Sequence, residues 1–147
     1  MTNPEDYEDI LADWLPETVR QDGRDYYVIA RSGWGELFVW EPTYGNKYCI
    51  IPHFGFITVG GNYEKMIKKG DADFALELFF LITEQEDLDM EDDNDKPLFR
   101  RAVKKFGALA EDEMFSFVPA LAAGGEPQIG HVDKVDLFVQ FDLLRQL

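Results

Sequence analysis

The sequence predicts a single domain of the α+β class over residues 1–147, in which an antiparallel β-meander packs against several helices. Runs rich in aromatic and β-branched residues, separated by turn residues, are concentrated between positions 26 and 59. Runs with apolar residues at helical spacing lie before and after them. Because 46% of the 147 residues are hydrophobic, the chain can bury a core without a metal or a disulfide.

The first half predicts one helix followed by four strands. Pro4 suits the first turn of a helix that runs to Leu15, and Asn3 is its expected N-cap. Four strands should follow, each closed by a turn that contains glycine or proline. Their expected positions are about 26–30, 36–40, 47–51 and 54–59.

The second half predicts three further helices, at about 71–82, 97–106 and 130–144. A short strand or extended segment is expected at 114–121. The last helix should begin near Gly130 or His131 and bury a wide apolar stripe.

The chain is strongly acidic. Its 14 lysines and arginines against 29 aspartates and glutamates leave a formal net charge of −15. Such a surface repels nucleic acid and anionic membranes, so a partner that binds through charge should be basic. The same charge could also serve solubility alone. One cysteine, no secretory signal and no long apolar run together predict a reduced, cytoplasmic protein without a membrane partner.

No catalytic, cofactor-binding or metal-binding set is predicted. Cys49 and His53 would lie about 13 Å apart on an extended strand, too far for a nucleophile and its base. The acidic run 87–95 lacks the glycine and the final glutamate of a calcium-binding loop. A carboxylate- or metal-dependent hydrolase and a small-ligand-binding regulatory module therefore stay open as alternatives, each without a diagnostic motif.

Several segments, in order along nearly the whole chain, resemble one known family. They include Asn3-Pro4-Glu5-Asp6-Tyr7, Gly35-Glu36-Leu37-Phe38-Val39-Trp40, Lys96-Pro97-Leu98-Phe99 and Phe117-Val118-Pro119-Ala120-Leu121-Ala122. The set resembles the Tdi-type immunity proteins, which carry a GAD-like region and neutralise DNase toxins of type VI secretion. The resemblance implies a non-catalytic protein that binds and inhibits a cognate nuclease toxin, without a cofactor. Family members have a GAD-like region before these segments, so the chain is expected to be the C-terminal domain with that region absent.

A nuclease partner suggests which side chains would touch it. A nuclease needs a basic groove for phosphate, and an acidic surface can steer towards such a groove and cover it. The candidate contacts are the carboxylates of two acidic segments, Asp87, Asp89, Glu91, Asp92, Asp93, Asp95, Glu111, Asp112 and Glu113. Exposed aromatic side chains are the second kind of candidate, since Trp and Tyr are enriched at binding hot spots; these are Trp34 and Tyr44.

Overall fold

The computed structural model describes residues 2–20 and 23–147, and the α+β class is confirmed. The helices in this part of the chain are α1 (Glu8–Trp14), α2 (Glu17–Arg20), α3 (Glu64–Lys68), α4 (Ala72–Ile82), α5 (Phe99–Phe106) and α6 (Leu137–Arg145). The strands are β1 (Tyr27–Arg31), β2 (Leu37–Glu41), β3 (Gly45–Ile51), β4 (Phe56–Val59), β5 (Glu113–Phe117) and β6 (Val132–Asp136). Across these ranges no helix is both long and apolar enough to cross a membrane.

The chain forms two compact units. Unit 1 comprises Met1–Arg31, Leu37–Ile50 and Ile57–Glu84, and unit 2 comprises Ser32–Glu36, Ile51–Phe56 and Gln85–Leu147. Each unit therefore draws on separate stretches of the sequence.

Unit 1 contains the predicted meander. Its strands follow the order β1-β2-β3-β4, and the β1–β2 and β2–β3 pairs are antiparallel, which confirms the meander prediction. Leu37 and Val39 alternate along β2 as buried residues, as expected for a strand with one face on a core. Phe79 of α4 packs against Phe38 of β2, with their ring centroids 5.4 Å apart.

The N-terminal helix is shorter than predicted. Pro4–Tyr7 forms a 3₁₀ turn, and α1 begins only at Glu8. The prediction that Asn3 caps the helix with its side chain is wrong. Its amide group instead donates to the carboxylate of Asp6, at 3.3 Å, so the side-chain nitrogen binds a side chain rather than the helix backbone.

Unit 2 surrounds one aromatic core. Strands β5 and β6 form an antiparallel hairpin, and α6 follows β6 directly. The buried residues that pack together come from the Trp34 segment, α5, the residue before it and both strands: Trp34, Leu98, Ala102, Phe115, Phe117 and Val132. Helix α5 ends where predicted, at Phe106 before Gly107 (φ +83°), but it begins at Phe99 and not at the predicted position 97.

The predicted start of the last helix at Gly130 or His131 is wrong. Residues Val132–Asp136 form β6, which pairs with β5 along its full length. The buried strand β5 needs a partner for its backbone groups, and this tertiary requirement overrides the helical spacing of the valines. Helix α6 begins at Leu137, where the Asp136 carboxylate accepts the N–H of Val139 at 2.9 Å.

Candidate partner-binding site

The segment 87–95 is folded by two of its own carboxylates. Asp89 Oδ1 accepts three hydrogen bonds, from the indole N–H of Trp34 (3.0 Å) and the backbone N–H groups of Met90 (2.7 Å) and Phe99 (2.9 Å). Because Phe99 is the first residue of α5, Asp89 caps that helix from outside it. Its half-buried carboxylate is therefore engaged within unit 2, and its contact with a partner stays a prediction.

Asp92 has a similar structural role. Its Oδ1 accepts the N–H groups of Asn94 (2.9 Å) and Lys96 (3.0 Å), and its Oδ2 lies 2.5 Å from the Arg101 guanidinium. These contacts, with the hydrogen bond from Arg101 first, lower the pKa of Asp92. The carboxylate stays charged and closes the turn that leads into α5, so it too is committed within the protein.

The remaining carboxylates of the segment face solvent. Asp87, Glu91, Asp93 and Asp95 are exposed. Glu91 forms a β-bridge with Pro97, which fixes the backbone that carries these side chains. Four of the six candidate carboxylates of this segment are therefore exposed, and we call these four the acidic loop.

The structure adds one carboxylate that the sequence analysis missed. The amide nitrogen of Gln128 donates to Asp93 (2.6 Å) and to Glu126 (2.9 Å), which brings Glu126 next to the acidic loop. The N–H of Asp93 also bonds to the carbonyl of Pro127 at 3.2 Å. Glu126 lies far along the chain from Asp93 and belongs to no acidic run, so no sequence signal pointed to it.

The second acidic segment begins β5. Glu111 and Asp112 are exposed, whereas Glu113 is half-buried and lies 3.3 Å from Lys134. Glu113 also accepts the N–H of Ala110 at 3.1 Å. Its charge is therefore balanced within unit 2, which leaves Glu111 and Asp112 as the outward carboxylates of this segment.

Trp34 is fully buried, so the prediction that it is exposed is wrong. Its ring stacks on Phe117 with centroids 5.3 Å apart and an interplanar angle of 6°. The indole N–H is held by Asp89. The local sequence Ser-Gly-Trp-Gly is typical of an exposed turn. The residues that bury the indole lie far from it in the sequence, so the local pattern does not indicate its burial.

Tyr44 lies in unit 1 and is half-buried. The guanidinium of Arg24 is 4.8 Å from its ring centroid, and the ammonium of Lys47 is 4.5 Å from it. Its backbone N–H donates to the buried carboxylate of Glu41 at 2.9 Å. Cations surround this ring, so Tyr44 is not part of an acidic surface.

His53 is a buried structural residue. Its Nε2–H donates to the carbonyl of Trp34 at 2.8 Å, which places the proton of the neutral ring on Nε2, while its Nδ1 is buried without a partner in the described part of the chain. Burial lowers the pKa of His53 to about 4. Cys49 lies half-buried on β3. Within residues 2–20 and 23–147, no three His, Cys, Asp or Glu side chains are arranged to hold a metal ion.

Replacing Asp89 with alanine should destabilise the protein by about 2 kcal/mol, because three partly buried N–H donors lose their acceptor. Asp87→Ala is the matched control, since that carboxylate is exposed on the same segment. Urea unfolding followed by circular dichroism measures both. Equal midpoints for the two variants would contradict the capping role.

Two parts of the chain match known protein families. Residues 73–147 match the family described as T6SS immunity protein Tdi1, C-terminal, and residues 1–53 match the GAD-like domain. The first match covers half of the chain, so the chain belongs to the Tdi1 C-terminal family of type VI secretion immunity proteins. The prediction that the GAD-like region is absent is wrong for residues 1–53.

The fold is also similar to a solved structure, the crystal structure of Atu4351 from Agrobacterium tumefaciens. The two superpose with a TM-score of 0.79 at 23% sequence identity, over 98% of this chain. The chain spans 64% of the length of that protein. No curated protein matches the chain significantly.

Proposed function

We propose that this protein is a non-catalytic, cytoplasmic immunity protein that binds a cognate nuclease toxin of type VI secretion, a DNase, and inhibits it. Its family membership supports a toxin as the partner. The observation that carries the nuclease assignment is the acidic loop, four exposed carboxylates on one short segment of a chain with net charge −15. Residues 1–147 would act in this role as one functional domain.

The acidic loop suits a basic groove because its shape is fixed before binding. Asp89 and Asp92 each accept backbone N–H groups, which hold the segment in place without the exposed carboxylates. A preorganised loop loses little conformational entropy when a partner docks. Its negative charge attracts the cationic groove that a nuclease offers to DNA, and the bound loop would then occupy the position of the phosphates.

Neutralising the acidic loop should slow toxin binding. In the variant Asp87→Asn, Glu91→Gln, Asp93→Asn and Asp95→Asn, we expect the association rate to fall roughly tenfold at low salt, because electrostatic steering is lost. The dependence of that rate on ionic strength should weaken as well. Surface-immobilised toxin and a salt series measure both quantities, and a DNase assay measures the inhibition.

The control variant changes the net charge by the same amount in unit 1. It carries Glu5→Gln, Asp9→Asn, Glu17→Gln and Asp25→Asn, all at exposed positions outside α4. If both variants slow association equally, the overall charge matters and the acidic loop does not. If the unmodified protein neither binds the toxin nor inhibits its DNase activity, the proposed function is wrong.

A further inference from the structure

Helix α4 of unit 1 exposes an apolar stripe. The side chains of Phe74, Leu81 and Ile82 are 55%, 79% and 57% exposed, although all three are large and apolar. With half-buried Leu78 they occupy positions i, i+4, i+7 and i+8, which lie on one side of a helix. Ala75 and Phe79 form the buried side of the same helix. The stripe therefore borders the core but does not belong to it.

The charges that the α4 segment itself carries beside the stripe are all negative. Every charged residue between positions 71 and 84 is an acid, namely Asp71, Asp73, Glu77 and Glu84, and all four are exposed. An apolar patch with a polar border marks an interaction site on a protein surface. Because the charges on the α4 segment itself have one sign, the patch fits a partner whose apolar residues are accompanied by lysine or arginine.

We propose that the apolar stripe of α4 anchors a basic amphipathic segment of the toxin; this inference rests on the proposed function. A second copy of this chain is a poorer occupant, since its α4 would place acids against acids. Helix α6 also exposes apolar side chains, Val139 and Leu143, at 59% and 53%. That face includes no aromatic residue, and the charged side chains of α6, Asp142 and Arg145, have opposite signs.

The two surfaces would affect different rate constants. The acidic loop acts at a distance, so it governs how fast the toxin arrives. The α4 stripe acts only in contact, where burial of large apolar side chains slows dissociation. Variants of α4 should therefore leave the association rate nearly unchanged and raise the dissociation rate.

The test uses the full chain and measures binding kinetics against the cognate toxin. The double variant Phe74→Gln and Leu81→Gln should raise the dissociation rate at least about tenfold, with the association rate within about twofold of the unmodified protein. The variant Leu81→Arg should raise the dissociation rate further, because the new arginine would lie against a basic segment of the toxin. The control is Val139→Gln with Leu143→Gln, which makes the same change on α6 and should leave both rates unchanged.

Each outcome decides the question. Unchanged dissociation in both α4 variants would overturn the proposal while leaving the proposed function intact. Equal increases for the α4 and α6 variants would overturn it too, since they would indicate a general loss of apolar surface. The proposal would also be overturned if light scattering shows that the unmodified protein is a dimer, and if Phe74→Gln with Leu81→Gln makes it a monomer without changing the rate of toxin dissociation. In that case a second copy of the chain covers the stripe. Absence of any toxin binding by the unmodified protein would overturn both the inference and the proposed function.

Discussion

Replacing Trp34 with alanine should lower the free energy of unfolding by about 3–5 kcal/mol, the range for removing a large aromatic side chain from a core. The indole is fully buried, and its ring contacts Phe117, Phe115 and His53 with centroids 5.3, 5.8 and 6.4 Å away. Its N–H also holds Asp89 at 3.0 Å. Loss of the ring would leave a cavity and release one of the contacts that fold the acidic loop.

The variant Trp34→Phe separates these two contributions. It keeps a ring against Phe117 but removes the indole N–H, and we expect a loss of about 1–2 kcal/mol. Urea unfolding monitored by far-ultraviolet circular dichroism gives both values, and the toxin association rate should fall with Trp34→Ala because the loop is less ordered. A cost below 1 kcal/mol for Trp34→Ala would show that the indole does not organise unit 2.

Acidification should destabilise the protein through His53. The folded state holds the neutral ring, and burial lowers the pKa of His53 to about 4 from 6.5. The neutral His53 ring therefore makes its full contribution to the free energy of unfolding above pH 6.5. This contribution, about 3 kcal/mol in total, is lost as the pH falls from 6.5 towards 4. Protonation at Nδ1 would place a charged N–H where no acceptor lies among the described residues.

His53→Gln isolates this effect. The glutamine amide can still donate to the Trp34 carbonyl, but it does not titrate. The free energies of unfolding of the unmodified protein and of His53→Gln are measured from pH 7.5 to pH 4.5. The difference between the two free energies should become smaller as the pH falls. Burial raises the pKa of Glu36, which acts in the opposite direction in both proteins and cancels in the difference. Parallel curves would contradict the neutral, buried ring.

Local patterns predicted most of the fold. The strands of the meander and the end of α5 at Gly107 follow from residue types that act on their immediate neighbours. Strand β6 could not be predicted in this way, because the valine spacing in 132–139 fits a helix. Residues 132–136 form a strand because they pair with β5, which ends more than ten residues earlier.

In the candidate site, too, contacts between residues that are distant in sequence decide what the local sequence does not. In the sequence Asp87, Asp89 and Asp92 are three equivalent acids of one run. In the structure Asp87 is exposed, while Asp89 binds the indole of Trp34, and Asp92 binds Arg101. Only the identity of these distant partners distinguishes an outward carboxylate from an inward one. For helix α4 the sequence predicted the position, but not that a large part of its apolar surface faces solvent.

The composition of unit 2 also bears on how this family can be divided. The region that matches the Tdi1 C-terminal family starts at residue 73, yet the core around Phe117 takes Trp34 and His53 from well before that point. A gene fragment for 73–147 alone would encode nearly all of α4, helices α5 and α6 and the β5–β6 hairpin, but not the Trp34 indole that packs in the core of unit 2. The stretch of sequence that matches the family and the compact unit of the structure therefore have different boundaries, and residues 73–147 lack the turn that carries Trp34.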